Sequence, residues 1–124
     1  MYEVRVRSGF AAAHQVRYMD GDLEPLHGHN WKVEVLVTCE GLDASGMVID
    51  FYQVKRALDE CLSELTYTTL NENPALAGLN PTSENLARWI YDRLLPDIES
   101  DGVRIGRVDV AEQEHYEASY VPAP

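Results

Sequence analysis

Two stretches of two-residue alternation, over 2–14 and 27–38, constrain this chain more than any other feature. In the first, Tyr2, Val4, Val6, Phe10, Ala12 and His14 share one parity, while Glu3, Arg5 and Arg7 share the other. In the second, His27, His29, Trp31, Val33, Val35 and Val37 fall on one side, with Lys32 and Glu34 opposite. Side chains alternate across a strand, so each stretch reads as a strand with one buried face. The polar segment from Tyr18 to Pro25, with Asp20-Gly21-Asp22 as turn material, joins them.

The middle of the chain changes period. Gly41 to Gly46 reads as a loop and Asp50 as a helix N-cap. Val54, Ala57, Leu58, Cys61, Leu62 and Leu65 then recur at helical spacing, predicting a helix through about residue 65. Residues 66–81, polar and rich in Asn and Pro, read as a long loop. Thr82 or Ser83 caps a second helix through Leu95, with Leu86, Ala87, Ile90 and Leu94 as its stripe. Residues 103–112 and Tyr116 to Val121 read as two further strands.

The order β-β-α-α-β-β predicts an α+β fold, a four-stranded antiparallel sheet with both helices on one face. Neither a repeat nor a linker interrupts it, and 124 residues fit one domain over 1–124. The uncovered face carries apolar residues such as Leu36, so copies of the chain are expected to associate.

Composition narrows the partners. With 21 acidic against 10 basic residues the net charge is −11. That argues against nucleic acid, whose affinity comes mostly from Lys and Arg. A small phosphorylated substrate stays compatible if Arg5, Arg7, Arg17, Lys32 and Lys55 gather locally. No apolar run approaches the ~20 residues that cross a bilayer, so no membrane partner is expected. The opening MYEVRVRSGF reads as a strand and not a secretion signal. Cys39 and Cys61 lack CxxC spacing and are expected as reduced core thiols of a cytoplasmic protein.

Three of the four histidines fall at the ends of the two leading strands. His27 and His29 project from one side of their strand, and Gly28 between them is expected to leave room for close approach. His14 ends the first strand on its apolar face. Three imidazoles with an open position is the set that zinc uses in catalysis, and no cysteine is at hand to close a structural site. The competing reading is two surface histidines and one core histidine; the facing position of His14 favours the metal.

Two acids stand near this set. Glu112 continues the face of Val108 and Val110, where an unpaired carboxylate is costly. It either reaches solvent or a salt bridge, or it binds the N–H groups of a ligand. Glu24, three residues before His27, is a general base beside a metal-bound substrate or one more solvated acid.

Four segments carry a resemblance: Phe10-Ala11-Ala12-Ala13-His14, Leu26-His27-Gly28-His29-Asn30, Met47-Val48-Ile49-Asp50-Phe51 and Asn80-Pro81-Thr82-Ser83-Glu84-Asn85-Leu86-Ala87. In this order they resemble the 6-pyruvoyltetrahydropterin and 6-carboxytetrahydropterin synthase family. The resemblance implies the tunnelling fold, trimers around a strand barrel that stack into a homohexamer, and zinc on His14, His27 and His29. It also implies a lyase acting on 7,8-dihydroneopterin triphosphate in tetrahydropterin, queuosine-precursor or folate pathways. Glu112 matches the glutamate that anchors the pterin ring, and Thr82 and Ser83 match a segment lining its pocket.

The sequence departs from that family in two places. The catalytic cysteine upstream of the HGH motif is replaced, with Leu23 four residues before His27. Glu24 stands where a glutamate form of the family has its acid, a form associated with side-chain cleavage to 6-hydroxymethyl-dihydropterin. The Asp-His pair of the LDHxxLN segment becomes Thr66 and Tyr67 in Leu65-Thr66-Tyr67-Thr68-Thr69-Leu70-Asn71. Tyr67 is then either a general acid, poor at its reference pKa of ~10, or a packing residue. Two functions follow: a zinc-dependent lyase with Glu24 as base, or a pterin- or purine-binding paralogue without that chemistry.

Overall fold

The computed structural model describes residues 1–124. Strands β1 (Tyr2–His14) and β2 (His27–Cys39) pair antiparallel along their whole length, with His14 directly opposite His27 and Ala12 opposite His29. Helix α1 (Phe51–Ser63) follows, capped by the Asp50 carboxylate, which accepts from the Tyr52 N–H. A two-residue strand β3 (Thr68–Thr69) and two short 3-10 turns lead to helix α2 (Ser83–Ile98). Strands β4 (Arg104–Gln113) and β5 (Tyr116–Tyr120) close the chain.

The sheet order is β3-β1-β2-β4-β5. The α+β class and the helix placement are as the sequence implies, but the sheet has five strands, not four. The added strand β3 runs parallel to β1 at Ala12 and Ala13 only. Two residues show no period, which is why 66–81 reads as a loop in sequence. Helix α2 also runs past Leu95 to Ile98, with Pro96 inside its last turn at the loss of one helical hydrogen bond.

The even residues of β1 and the odd residues of β2 meet both helices in one core, with Val35, Leu58, Leu65, Ile90 and Val108 fully buried. Gly9 is required by a close approach, since a Cβ there would lie 2.6 Å from the Trp31 carbonyl oxygen. Beside it Phe10 and Trp31 stack at 5.5 Å. Leu58→Ala is expected to lower unfolding free energy by about 2–5 kcal/mol, the cost of an unfilled cavity. Denaturant unfolding reads this, and a loss under about 1 kcal/mol would contradict the packing described.

The uncovered face is charged rather than apolar. Arg7 pairs with Glu34 at 2.7 Å, and Arg107 reaches both Glu34 at 3.6 Å and Asp109 at 2.8 Å. Ser119 donates to the same Asp109 carboxylate, and Leu36 is the apolar residue buried among them. The outer edge of β1 is unpaired before Ala11, as is that of β5. No helix is long and apolar enough to cross a membrane. Both cysteines are free, and burial pushes the Cys61 thiol up to about 12.

Candidate active site

The pairing of β1 with β2 assembles the three histidines. His14 ends β1, His27 starts β2 opposite it, and His29 follows on the same face. Their ligand-capable nitrogens lie within 4.8 Å of one another. His14 is fully buried, edge-on to Trp31 at 4.7 Å between ring centres. The Trp31 indole N–H is in turn held by the Ala12 carbonyl at 3.1 Å. Gly28 proves less constrained than its place between two histidines suggests. A Cβ there would meet the Ala12 carbonyl at 3.8 Å, an ordinary contact.

The second nitrogen of two rings is already committed. His14 Nδ1 lies 2.8 Å from the Pro81 carbonyl and His27 Nδ1 lies 2.7 Å from the Pro25 carbonyl. A carbonyl only accepts, so each Nδ1 carries a hydrogen, and Nε2 is the ring nitrogen left to serve as a ligand. His14 Nε2 and His29 Nε2 are buried without any hydrogen-bond partner. Burial also holds the His29 imidazole below its ordinary pKa, with Glu112 opposing and the two neighbouring histidines reinforcing the shift. That favours the neutral ring that binds metals.

Both acids singled out in the sequence come to this point. Glu24 Oε1 lies 3.7 Å from His14 Nε2 and 3.9 Å from His27 Nε2. Glu112 Oε2 lies 3.4 Å from His14 Nε2 and 3.8 Å from His29 Nε2. The alternation of β4 carries Glu112 inward after Val108 and Val110, just where a bulge between Ala111 and Gln113 breaks pairing with β5. The Nε2 atoms of His14 and His29 are buried with carboxylate oxygens nearby and no hydrogen bond between them. A divalent cation would give the three ring nitrogens the partner they lack, so this donor set fits a metal ion with His14, His27 and His29 as its holders.

The remaining residues separate. Thr82 accepts from the Asn85 N–H at 3.1 Å and caps α2, and Ser83 is its first, half-buried residue. They adjoin the site through Pro81, whose carbonyl holds His14. Tyr67 is not brought to the histidines of its own chain. It is 89% exposed and lines a cleft on the uncovered face with Arg7, Ala11 and Lys32. Nor does it pack in the core: its backbone is left-handed at φ 59°, with its N–H on the Ala11 carbonyl. Pro25 and Pro81, the carbonyl anchors, escape a reading by side-chain chemistry because their contribution is backbone.

Comparison with known proteins places this geometry among relatives. The family model described as 6-pyruvoyl tetrahydropterin synthase matches residues 3–123. The dihydroneopterin monophosphate aldolase of Pyrococcus furiosus is 36% identical over 110 residues, covering 89% of this chain and 89% of that one. A 6-carboxy-5,6,7,8-tetrahydropterin synthase of Synechocystis is 34% identical over 99 residues, covering 76% of this chain and 75% of its own length. The fold superposes on 6-pyruvoyl tetrahydropterin synthase of Caenorhabditis elegans with a TM-score of 0.83 at 21% identity, over 98% of this chain and 96% of that one.

Proposed function

The chain belongs to the 6-pyruvoyl tetrahydropterin synthase family, and from that premise we propose that it is a zinc-dependent lyase that cleaves the side chain of a phosphorylated dihydroneopterin. The observation that carries this reading is the convergence of Glu24 and Glu112 on the three clustered histidine rings. A protein that only bound a pterin would have no need to keep a second carboxylate against the metal-holding set. Likeness to a named aldolase over 89% of the chain favours carbon–carbon cleavage. Whether the phosphate ester is a mono- or a triphosphate is an outcome of the assay below.

His14, His27 and His29 would hold the zinc, which when bound supplies a Lewis acid that polarises the substrate's side-chain oxygens. Glu112 accepts the ring's 2-amino and N3 hydrogens and fixes the pterin. Thr82 and Ser83 line its pocket at the start of α2. Glu24 takes the proton from the hydroxyl on the second side-chain carbon. The bond between the first and second carbons then breaks, and the electron pair passes into the C6=N5 unit of the ring. The hydroxyl oxygen becomes the carbonyl of a phosphorylated two-carbon aldehyde. Glu24 returns the proton to the first carbon, leaving 6-hydroxymethyl-dihydropterin, so one molecule gives two with no other reactant.

Association of copies, as a cytoplasmic homohexamer, belongs to the same proposal. It is supported by the unpaired edges of β1 and β5 and by an apolar cleft of about 500 Å³ lined by Tyr2, Met47, Phe51 and Tyr52. Tyr67, exposed and turned away from the histidines of its own chain, would enter the chemistry only from a neighbouring copy.

The test is incubation of zinc-loaded protein with 7,8-dihydroneopterin monophosphate and triphosphate, products resolved by mass. Release of a two-carbon aldehyde with 6-hydroxymethyl-dihydropterin is expected; intact substrate from both would overturn the lyase reading. Glu112→Ala is expected to weaken binding of the pterin by about 10- to 100-fold, through loss of two charge-assisted hydrogen bonds. Titration with 6-hydroxymethyl-dihydropterin checks this, and unchanged affinity would remove Glu112 from the pocket.

A further inference from the structure

Glu24 is held from an unexpected direction. After His14 the chain does not become an irregular loop. Val16 accepts from the Glu24 N–H at 3.0 Å, a bridge joins Arg17 to Leu23, and the Tyr18 N–H donates to the Asp22 carbonyl at 2.8 Å. Residues 15–24 thus form a small hairpin, with Gly21 in the turn at φ 92°, and Glu24 stands on its returning arm. The Val16 N–H donates to Glu24 Oε1 at 2.9 Å, and Oε1 is also the oxygen nearest to His14 and His27.

The outgoing arm has no strand on its other side, yet its backbone is paired there. The Gln15 N–H donates to Asn71 Oδ1 at 2.9 Å, and Asn71 Nδ2 donates to the Gln15 carbonyl at 2.7 Å. Two residues on, the Arg17 N–H donates to Asn80 Oδ1 at 2.9 Å, and Asn80 Nδ2 donates to the Arg17 carbonyl at 2.9 Å. A side-chain amide carries the acceptor and donor of a peptide group without its chain. Asn71 and Asn80 therefore act as two isolated peptide units of an otherwise missing strand. Residues 15 and 17 face them, so Val16 between must face Glu24. All six backbone groups of residues 15–17 are satisfied in this way.

Both asparagines are themselves fixed. Asn71 lies in the 3-10 turn Leu70–Glu72, next to β3. The Asn80 carbonyl accepts from the Thr82 N–H at 2.8 Å and from Asn85 Nδ2 at 2.9 Å, which ties it to the cap of α2.

We infer that Asn71 and Asn80 are positioning residues for Glu24: their paired amides hold residues 15–17 extended, so that the Val16 N–H aims the Glu24 carboxylate at the reacting centre. This rests on the reading of Glu24 as the base. A displacement of about 1 Å at a reacting group can cost about 100-fold in rate, so a loosened hairpin reads out as turnover.

The experiment compares Asn80→Ala, Asn80→Asp and Asn71→Ala with Glu24→Gln and with the Asn80→Ala, Glu24→Gln double variant. Backbone amide exchange at Val16 and Arg17 is measured on the zinc-loaded proteins without substrate. Turnover is followed with 7,8-dihydroneopterin monophosphate. Asn80→Ala is expected to speed exchange at both amides at least about tenfold. It is expected to lower kcat by about 10- to 100-fold with KM within about threefold and zinc content unchanged. Asn80→Asp, which keeps the acceptor for Arg17 and loses the donor, should fall between. In the Glu24→Gln background Asn80→Ala should cost nothing further, because the group being positioned is gone.

Unchanged exchange in folded Asn80→Ala and Asn71→Ala would overturn the clamp. So would full kcat in both while Glu24→Gln is inactive, or an equal loss in both backgrounds. Full turnover by Glu24→Gln would instead overturn the base and the catalytic part of this inference together, whatever exchange shows.

Discussion

Replacing His27 by alanine is expected to strip the metal from the protein while leaving the fold intact. His27 is the most exposed of the three histidines, its side chain 37% accessible at the first position of β2, so its loss opens no cavity in the core. His14 would be a poorer choice, since it is fully buried against Trp31 and its removal would mix a packing defect with a ligand defect. Loss of a group outside the ligand set typically costs 10- to 100-fold in metal affinity. Loss of one ligand of three should exceed that, at about 100-fold or more. After dialysis the zinc content of His27→Ala should fall from about one per chain toward zero, and the thermal upshift on zinc addition should vanish with it. Elemental analysis and a chelator-paired melt read both. Full zinc retention by the folded variant would mean that the three rings converge for some other reason.

Glu24→Gln should be the most damaging change to turnover that leaves binding alone. The amide oxygen of glutamine can still accept from the Val16 N–H, so the side chain keeps its seat. What disappears is the ability to take a proton, and general base catalysis contributes about 100- to 10,000-fold. The expected result is a kcat lowered by that factor. KM, zinc content and affinity for 6-hydroxymethyl-dihydropterin should stay near wild type, since Glu112 and the histidines are untouched. A matching fall in zinc content would make Glu24 a metal-supporting residue rather than a base. Wild-type kcat would leave the lyase reading without its proton acceptor.

Much of the site was legible because it lies on strands. Alternation is local, so parity alone puts His14, His27, His29 and Glu112 on the face that the helices cover. Register is not local. That His14 pairs with His27, and that a bulge follows Ala111, depends on how the strands align in space. Glu24 was legible only as a position relative to His27, because nothing in 18–25 shows a period; its seat on the Val16 N–H needs the hairpin. Tyr67 shows the limit in the other direction. Its place in the segment made it a candidate acid, and a left-handed backbone turns it onto the uncovered face.

The segment 66–81 divides the two kinds of information most sharply. Its composition determined that no long helix or strand forms there, since its Pro and Asn residues break regular pairing. Only the tertiary structure decided what its asparagines do. Their partners stand 56 and 63 residues away in the chain, beyond the reach of any period or cap. A side-chain amide shows its value only when a strand edge is set beside it. The sequence by itself determined which strand residues face the histidine corner, because side-chain direction follows from backbone alternation. The tertiary structure alone decided how the Glu24 carboxylate is held there, because that depends on hydrogen bonds between segments that meet only after the sheet has formed.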